Sequence, residues 1–269
     1  MRAAFTNEAE APAASGRFFV RAEFGNVCAP TSRDTEAMRL KLLSGGAAQG
    51  LVQALAQRFK AETGADIEGT FGAVGAMRDK LAGGEPADLV ILTAALVGDL
   101  ARDGHVVPGS AADLGAVPTC IAVRAGDPEP PVGDADAMRE ALRAADGIYF
   151  PDPKLATAGI HFAKVLDALG LSAEVAARLR PHPNGATAMR ALAVSAERRP
   201  IGCTQATEIL NTPGTVLVGP LPPGHALAAV YTVGLCARAA EPGLARQFAG
   251  LLAHPDNAGL RQRLGFAAP

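Results

Sequence analysis

Short strand-like segments alternate with segments of helical spacing along most of the chain. Residues 40–43, 67–71 and 89–92 are predicted to be strands, and the last is apolar throughout, as in a strand buried on both faces. Each leads through small residues into a stretch whose apolar positions recur every three or four residues, such as residues 51–59. Strand, turn and helix units repeated in this way predict an α/β fold with a mostly parallel sheet.

The same alternation continues through the second half. We predict further strands at residues 120–123, 148–150, 201–204, 216–218 and 228–235, with helices between and after them. A chain of 269 residues is long enough to divide into two lobes, since single hydrophobic cores rarely grow much larger. Residues 1–37 show no apolar periodicity and are predicted to be a disordered extension, with translation from Met38 as the alternative.

Composition excludes several classes of protein. The net charge is −2, the longest basic cluster is Arg198-Arg199, and the chain has two Tyr and no Trp, which argues against nucleic-acid binding. No apolar stretch approaches the roughly 20 residues of a membrane-spanning helix, so membrane insertion is not expected. The four cysteines are far apart and are expected to be reduced thiols, although a bond between Cys120 and Cys236 stays open.

Cofactor and metal motifs are lacking in the sequence. Gly69, Gly72 and Gly75 do not have the spacing of the dinucleotide fingerprint, and neither a P-loop nor a nucleophile elbow occurs. The five histidines show no metal-ligand spacing. We therefore predict no cofactor and no metal. A convincing secretory signal is also missing, so the sequence as it stands favours the cytoplasm.

The strand-to-helix turns are the most informative feature. After the predicted strand at 148–150 comes Asp152-Pro153, and a helix then begins near Ala158-Gly159. Small residues at a helix start leave backbone N–H groups open, and the helix dipole adds partial positive charge, which favours a bound anion. Similar turns follow other strands, whose carboxyl ends are the usual binding edge of an α/β sheet.

The order of these turns resembles a known family. The first two turns, the Gly-Gly-Glu-Pro-Ala-Asp-Leu segment at 83–89, the Asp-Pro and Ala-Gly-Ile element at 152–160, and Pro200-Ile201-Gly202 are similar to type 2 periplasmic solute-binding proteins. The resemblance is to the molybdate-binding branch of the ABC-transporter substrate-binding proteins and covers roughly residues 38–266.

The resemblance implies two α/β lobes that close by a hinge on a ligand in the cleft between them. Carried onto this chain, lobe one comprises residues 38–121 and 232–269, and lobe two residues 122–231. Related proteins work in the periplasm with an ABC permease. The implied ligand is a molybdate-like oxyanion or a small carboxylate, held by residues from the turns: Ser44, Gly45, Gly46, Ala73, Val74, Gly75, Thr93, Ala158, Gly159, Asn184, Gly185, Thr187 and Gln205.

The site departs from the family pattern. The second turn offers no hydroxyl, and Gln205 stands where the family has a tyrosine. Each turn also has a simpler interpretation, because short turns need small residues in any case. Asn184 is as well explained as a helix cap.

Three functions stay open at this point. The first is a non-catalytic solute-binding protein, and the second is an isomerase of a small tricarboxylate such as aconitate, an activity found in a minority of proteins that resemble this branch. For the isomerase, His161 and Glu208 are the candidate acid/base groups. The third is a cytoplasmic ligand sensor.

Overall fold

A computed structural model describes residues 38–268. The predicted disordered extension, the alternative start at Met38 and the missing secretory signal concern residues 1–37. Those predictions fall outside the described residues.

Within residues 38–268, strands and helices alternate as predicted. The strands are β1 (Arg39–Gly45), β2 (Asp66–Gly72), β3 (Leu89–Thr93), β4 (Ala112–Arg124), β5 (Gly147–Pro151), β6 (Leu179–His182), β7 (Pro200–Gln205), β8 (Thr215–Pro220) and β9 (Ala228–Leu235). The α-helices are α1 (Gln49–Thr63), α2 (Val74–Ala82), α3 (Ala94–Arg102), α4 (Ala135–Ala144), α5 (Thr157–Ala168), α6 (Ser172–Val175), α7 (Gly185–Ala193), α8 (Ala206–Leu210), α9 (Pro242–Ala253) and α10 (Ala258–Arg263). Short 3-10 turns lie at Gly46–Ala48, Ala176–Arg178 and Pro255–Asn257.

Two parallel groups of strands are joined by one long antiparallel pair. The strand order is β2-β1-β3-β9-β4-β7-β5-β6, with β8 attached to β4. β1 is parallel to β2 and β3, and β5 is parallel to β6 and β7. β4 pairs with β9 from Ala112 to Pro118 and with β7 from Thr119 onward, so it passes from one group to the other. The predicted α/β, two-lobed architecture is confirmed, whereas the lobe boundaries 38–121, 122–231 and 232–269 stay a prediction.

Each parallel group has its own core. The larger core includes Leu42 of β1, Ile91 of β3 and Phe59 of α1, which are buried completely or almost so. The smaller core includes Phe150 of β5 and Phe162 of α5, whose rings meet edge to face with centroids 5.5 Å apart. Burying large apolar side chains of this kind contributes about 1.5–3 kcal/mol each.

Two strand predictions need correction. β4 begins at Ala112 rather than at Cys120, because its first half contains Gly115, at φ 140°, and Pro118, both of which are typical of turns. β6 was not predicted at all, since its four residues are short, polar and interrupted by Pro181. It lies at an edge of the sheet, where a strand can accommodate a proline.

The segment at 83–89 has a structural role. The carboxylate of Asp88 is buried and accepts the amide of Lys41 through Oδ2, at 2.8 Å, and the amide of Glu241 through Oδ1, at 2.9 Å. It therefore ties β1 to the start of α9, which comes from the far end of the chain. Accepting these two backbone amides satisfies the buried carboxylate, which explains why an acidic residue stands at an otherwise apolar position.

The thiols of Cys120, Cys203 and Cys236 are free and buried. Burial raises the pKa of Cys120 to about 11 and the pKa of Cys236 to about 12, so both stay protonated near neutral pH. The open question of a bond between Cys120 and Cys236 is thus answered. Across residues 38–268, no helix is both long enough and apolar enough to cross a membrane.

Candidate functional site

The carboxyl ends of strands from both parallel groups meet around one small cavity. Its volume is about 20 Å³, which is room for about one water molecule. Turns that follow β1, β2, β5, β6 and β7 contribute to its wall, together with one residue of β9. The lining residues are Gly46, Gly72, Ala73, Val74, Pro151, Ala156, Thr157, Ala158, Asn184, Gly185, Gln205, Glu208 and Tyr231.

Two of the longer helices, α2 and α5, reach this cavity without a side-chain cap, as does the five-residue α8 that begins after Gln205. α2 has Ala73 as its N-cap residue and α5 has Ala156, and neither side chain can accept a hydrogen bond from the first turn. The first amides of an α-helix have no acceptor within the helix itself. These amides, together with the positive ends of both helix dipoles, are suited to bind an anion.

Another of the longer helices, α7, reaches the cavity with its start already satisfied. The Asn184 side chain accepts the Thr187 amide at 2.9 Å, and the Thr187 hydroxyl oxygen accepts the Asn184 amide at 3.2 Å. This reciprocal pair is a capping box, with threonine at the third helical position. Asn184 lines the cavity, but its side-chain oxygen is engaged by its own helix.

Gln205 supplies a free amide group at the same place. It ends β7, is 3% exposed, and lines the cavity. Neither its Oε1 nor its Nε2 has a hydrogen-bond partner among the described residues. A buried amide without partners costs free energy, which a ligand able to both donate and accept would recover.

Glu208 places a carboxyl group beside Gln205. The Thr204 hydroxyl donates to Glu208 Oε2 at 2.6 Å, and this bond and the backbone amides of Gly185, Ala186 and Gln205 act to lower the pKa of the carboxyl. Burial nevertheless dominates and raises the pKa of Glu208. The site therefore contains an acid that is held more strongly in its protonated form than an exposed glutamate.

Tyr231, on β9, completes the polar part of the lining. Burial raises its pKa, and the neighbouring Glu208 carboxyl raises it further, so its hydroxyl stays protonated. The described lining contains no Arg, Lys or His. Among residues 38–268, no group of three or more His, Cys, Asp or Glu is placed to hold a metal ion. Neutral donors surround a cavity whose only acidic side chain is Glu208.

The structure brings seven of the thirteen proposed ligand-binding residues to the cavity wall: Gly46, Ala73, Val74, Ala158, Asn184, Gly185 and Gln205. The other six lie close by in the chain but outside the lining: Ser44, Gly45, Gly75, Thr93, Gly159 and Thr187. For several of the six, the contacts reveal another role.

Three of the glycines outside the lining allow close packing. A Cβ at Gly45 would lie 2.7 Å from Val74 and 2.9 Å from the Tyr231 ring. A Cβ at Gly159 would overlap the backbone oxygens at the end of β5. The Gly75 amide donates to the Leu155 oxygen at 3.0 Å, which connects α2 to the loop before α5 across the cavity.

Two of the three hydroxyl residues outside the lining donate hydrogen bonds to nearby backbone oxygens. The buried Ser44 hydroxyl donates to the Gly45 oxygen at 2.9 Å, and the Thr187 hydroxyl donates to the Asn184 oxygen at 2.7 Å. Thr93 is the N-cap residue of α3 but makes no side-chain cap bond.

Of the two candidate acid/base groups, only Glu208 lies at the cavity. His161 is on α5, and its Nε2 is 2.7 Å from the backbone oxygen of His225. Sequence reasoning missed Tyr231, along with Gly72, Pro151, Ala156 and Thr157. The last four adjoin predicted turns and could have been found there, whereas Tyr231 comes from a strand remote in sequence.

A sheet of two parallel groups, joined by an antiparallel pair, with a small cavity at its strand ends, is a two-lobed α/β fold. The family described as bacterial extracellular solute-binding protein matches residues 40–267, and the chain belongs to it.

Solved structures share the fold, and one curated relative is similar in sequence. The periplasmic molybdate-binding protein of Azotobacter vinelandii has a TM-score of 0.71 at 20% identity, covering 86% of this chain and 99% of that one. The sulfate-binding protein SubI of Mycobacterium tuberculosis has a TM-score of 0.66 at 18% identity, covering 85% and 86%. An aconitate isomerase of a Pseudomonas species is 28% identical over 230 residues, which is 81% of this chain and 84% of that protein.

Proposed function

We propose that this protein is a solute-binding protein that holds a small anion, a molybdate-like oxyanion or a small carboxylate, in the cavity between its lobes. Donors for the anion are the first-turn amides of α2 and α5, the Gln205 amide and the Tyr231 hydroxyl. In this proposal the loaded protein delivers its ligand to an ABC permease, as its family resemblance implies.

The observation that carries the proposal is the unpartnered amide of Gln205. Both of its polar atoms are buried at the cavity without a protein partner among the described residues. Two uncapped helix starts, α2 and α5, border the same space. Gln205 and the starts of two helices thus bring hydrogen-bond donors to one point, and the unpartnered Gln205 amide is costly unless a ligand engages it.

The size of the cavity indicates that its two sides separate to admit a ligand. A volume of about 20 Å³ is too small for a polyatomic anion. The bond from Gly75 to Leu155 holds the two sides together at 3.0 Å. In the proposed cycle this bond breaks to admit the anion, which then keeps the sides apart by the width of one bound ligand.

The test is a thermal-shift and calorimetric panel of molybdate, tungstate, sulfate, phosphate and small di- and tricarboxylates. A ligand present at 100 times its dissociation constant adds about 2.7 kcal/mol to the free energy of unfolding. We expect at least one anion of the panel to bind, and no neutral sugar or amide of similar size. If every anion leaves the melting temperature unchanged, the proposal is wrong.

A pair of glutamine variants locates the binding site. Gln205→Ala removes hydrogen bonds worth about 0.5–1.5 kcal/mol and is expected to weaken anion binding up to about tenfold. Gln53→Ala, on the exposed side of α1, makes the same chemical change away from the cavity and is expected to leave affinity unchanged. Equal effects of the two variants would place the anion elsewhere.

An isomerase is the second candidate function. Its support is the relative named aconitate isomerase, together with the presence of Glu208 at the cavity. Isomerisation by proton transfer takes a proton from one carbon and returns a proton to another, so it requires a base at the ligand. Glu208 is the carboxyl available for that role, and His161 lies outside the lining.

Proton NMR of aconitate incubated with the protein in D₂O tests this candidate. Conversion between the cis and trans isomers, with deuterium entering the product, would support it, and Glu208→Gln is expected to abolish the conversion. Binding of aconitate without conversion would leave the solute-binding proposal in place and reject the isomerase.

A further inference from the structure

The chain makes room for the Glu208 carboxyl on two sides. A Cβ at Gly46 would overlap Glu208 Oε1, and a Cβ at Gly185 would overlap Oε2 and the Thr204 hydroxyl. Gly46 follows β1 and Gly185 begins α7, so the carboxyl lies between elements from the two parallel groups of strands. Any side chain larger than hydrogen at either glycine would displace it.

The two oxygens of this carboxyl have different surroundings. Oε2 accepts the Thr204 hydroxyl and lies against Gly185 at the start of α7. Oε1 is the oxygen nearest to Gly46, which also lines the cavity. Since Oε2 already accepts the Thr204 hydroxyl, an acid proton is better placed on Oε1. Oε1 is therefore the oxygen of this carboxyl that can share a proton with a ligand.

An ionised Glu208 and an ionised ligand would repel each other here. The described lining has no basic side chain, and the titratable group that faces Glu208 is Tyr231, which burial keeps neutral. Two like charges at short distance in a buried site cannot both be maintained without a proton between them. The raised pKa of Glu208 already shows the cost of one charge at this place.

We propose that Glu208 makes the site selective for small oxyacids that bind together with one proton, shared between Oε1 and an oxygen of the ligand. Either partner supplies that proton: an ionised Glu208 accepts it from a ligand such as hydrogen phosphate, or a protonated Glu208 donates it to an anion that has none. The inference rests on the proposed anion site. It predicts that hydrogen phosphate and protonated carboxylic acids bind more tightly than sulfate whenever Glu208 is ionised.

Sulfate and hydrogen phosphate are the appropriate probes. Both are tetrahedral dianions of similar size, but only hydrogen phosphate carries a proton across the neutral range. We expect sulfate affinity, measured by calorimetry, to fall by up to about tenfold per pH unit as Glu208 ionises. Hydrogen phosphate is expected to keep its affinity, so the preference for phosphate grows with pH.

Glu208→Gln separates this role from a merely structural one. The carboxamide donates a hydrogen bond at every pH, so the variant should bind sulfate with no pH slope and lose the rising preference for phosphate. Glu62→Gln, on the exposed face of α1, is the matched control and should keep the wild-type profile. A flat wild-type profile for sulfate, or identical slopes in wild type and Glu208→Gln, would overturn the inference.

Failure of this inference is distinguishable from failure of the proposed function. If the protein binds other anions of the panel but neither sulfate nor phosphate, the inference is overturned and the solute-binding proposal stands. If no anion binds, the proposed function is wrong and the inference falls with it.

The pH dependence of stability in the ligand-free protein is an independent measure of the protonation of Glu208. A carboxyl whose folded pKa is raised stabilises the fold below its unfolded value, near 4.5, and that stability is lost as pH rises through the folded pKa. The stability of wild type relative to Glu208→Gln should therefore decrease with rising pH. A difference that is independent of pH would show that the pKa of Glu208 is not raised in the folded protein. The expected fall in sulfate affinity across the neutral range would then have no titrating group, and the inference would be overturned.

Discussion

The helix starts at the cavity fall into two kinds. α7 satisfies its own first turn through the Asn184 and Thr187 capping box, and the Glu208 carboxyl lies against its first residue, Gly185. α2 and α5 have alanine at the N-cap and no side-chain cap. A helix start that is capped from within the protein has little left to offer a ligand, whereas an uncapped one keeps its donors. In the proposed site, α2 and α5 are therefore the helices whose starts bind the anion.

The capped end also holds an acidic side chain. The Glu208 carboxyl lies against Gly185, the first residue of α7. In the proposed site, this carboxyl occupies the space at the start of α7, whereas the starts of α2 and α5 stay open to an external anion.

The largest expected effect on stability comes from adding a Cβ in the first turn of α5, a helix without a side-chain cap. Gly159→Ala places a Cβ against the backbone oxygens of Pro151 and Asp152, which cannot move without disturbing β5. We expect a loss of about 3 kcal/mol in the free energy of unfolding, measured by urea denaturation. Gly98→Ala, in the open middle of α3, is the control and should be neutral or slightly stabilising. Retained stability in Gly159→Ala would show that α5 can shift as a unit.

The strand and turn pattern made much of this architecture predictable from sequence. β9 was predicted with its observed bounds, and β3 ends one residue beyond the predicted strand. These strands are apolar and interrupted by few turn residues, so local pattern and final structure agree. β6 and the first half of β4 were not predictable, because Pro and Gly residues within them give the local signal of a turn.

The residues of the candidate site also divide into those that the sequence predicts and those that it does not. Positions in the turns, such as Ala73 and Ala158, follow from small residues after a strand, and the structure places both at the cavity. Tyr231 could not be foreseen, because β9 reaches the cavity only through its pairing with β3 and β4. The contacts of Glu208 with Gly46 and Gly185 also join residues that are far apart in sequence. Local pattern cannot predict such contacts.

A smaller effect is expected at the capped end. Asn184→Ala removes the side chain that accepts the Thr187 amide, and should cost about 1 kcal/mol of stability in urea denaturation. Thr187→Ala breaks the same box, so the double variant should lose less than the sum of the two single losses, by about 0.5 kcal/mol or more. Asp134→Ala, which uncaps α4, should combine additively with Asn184→Ala. Additive losses for Asn184 and Thr187 would mean that the box is not a single unit.

The smallest change in stability should come from giving an open helix the cap that it lacks. Ala73 has the extended backbone of an N-cap residue, with φ −63° and ψ 138°, so Ala73→Ser can place its hydroxyl oxygen on the first-turn amides of α2. We expect a gain of about 0.5 kcal/mol in stability. Anion affinity should fall at the same time, because the hydroxyl competes with the ligand for the same donors.

A capping residue introduced at another helix separates the effect on stability from the effect on anion affinity. Glu241→Ser gives a capping residue to α9, whose start is not part of the cavity wall, and should change stability by a similar amount while leaving anion affinity as it was. Calorimetric titration of both variants with the anion that binds best in the panel compares them directly. If Ala73→Ser gains stability but binds the anion as tightly as wild type, the amides of α2 are not ligand donors. The contrast between open and capped helix starts would then have to rest on α5 alone.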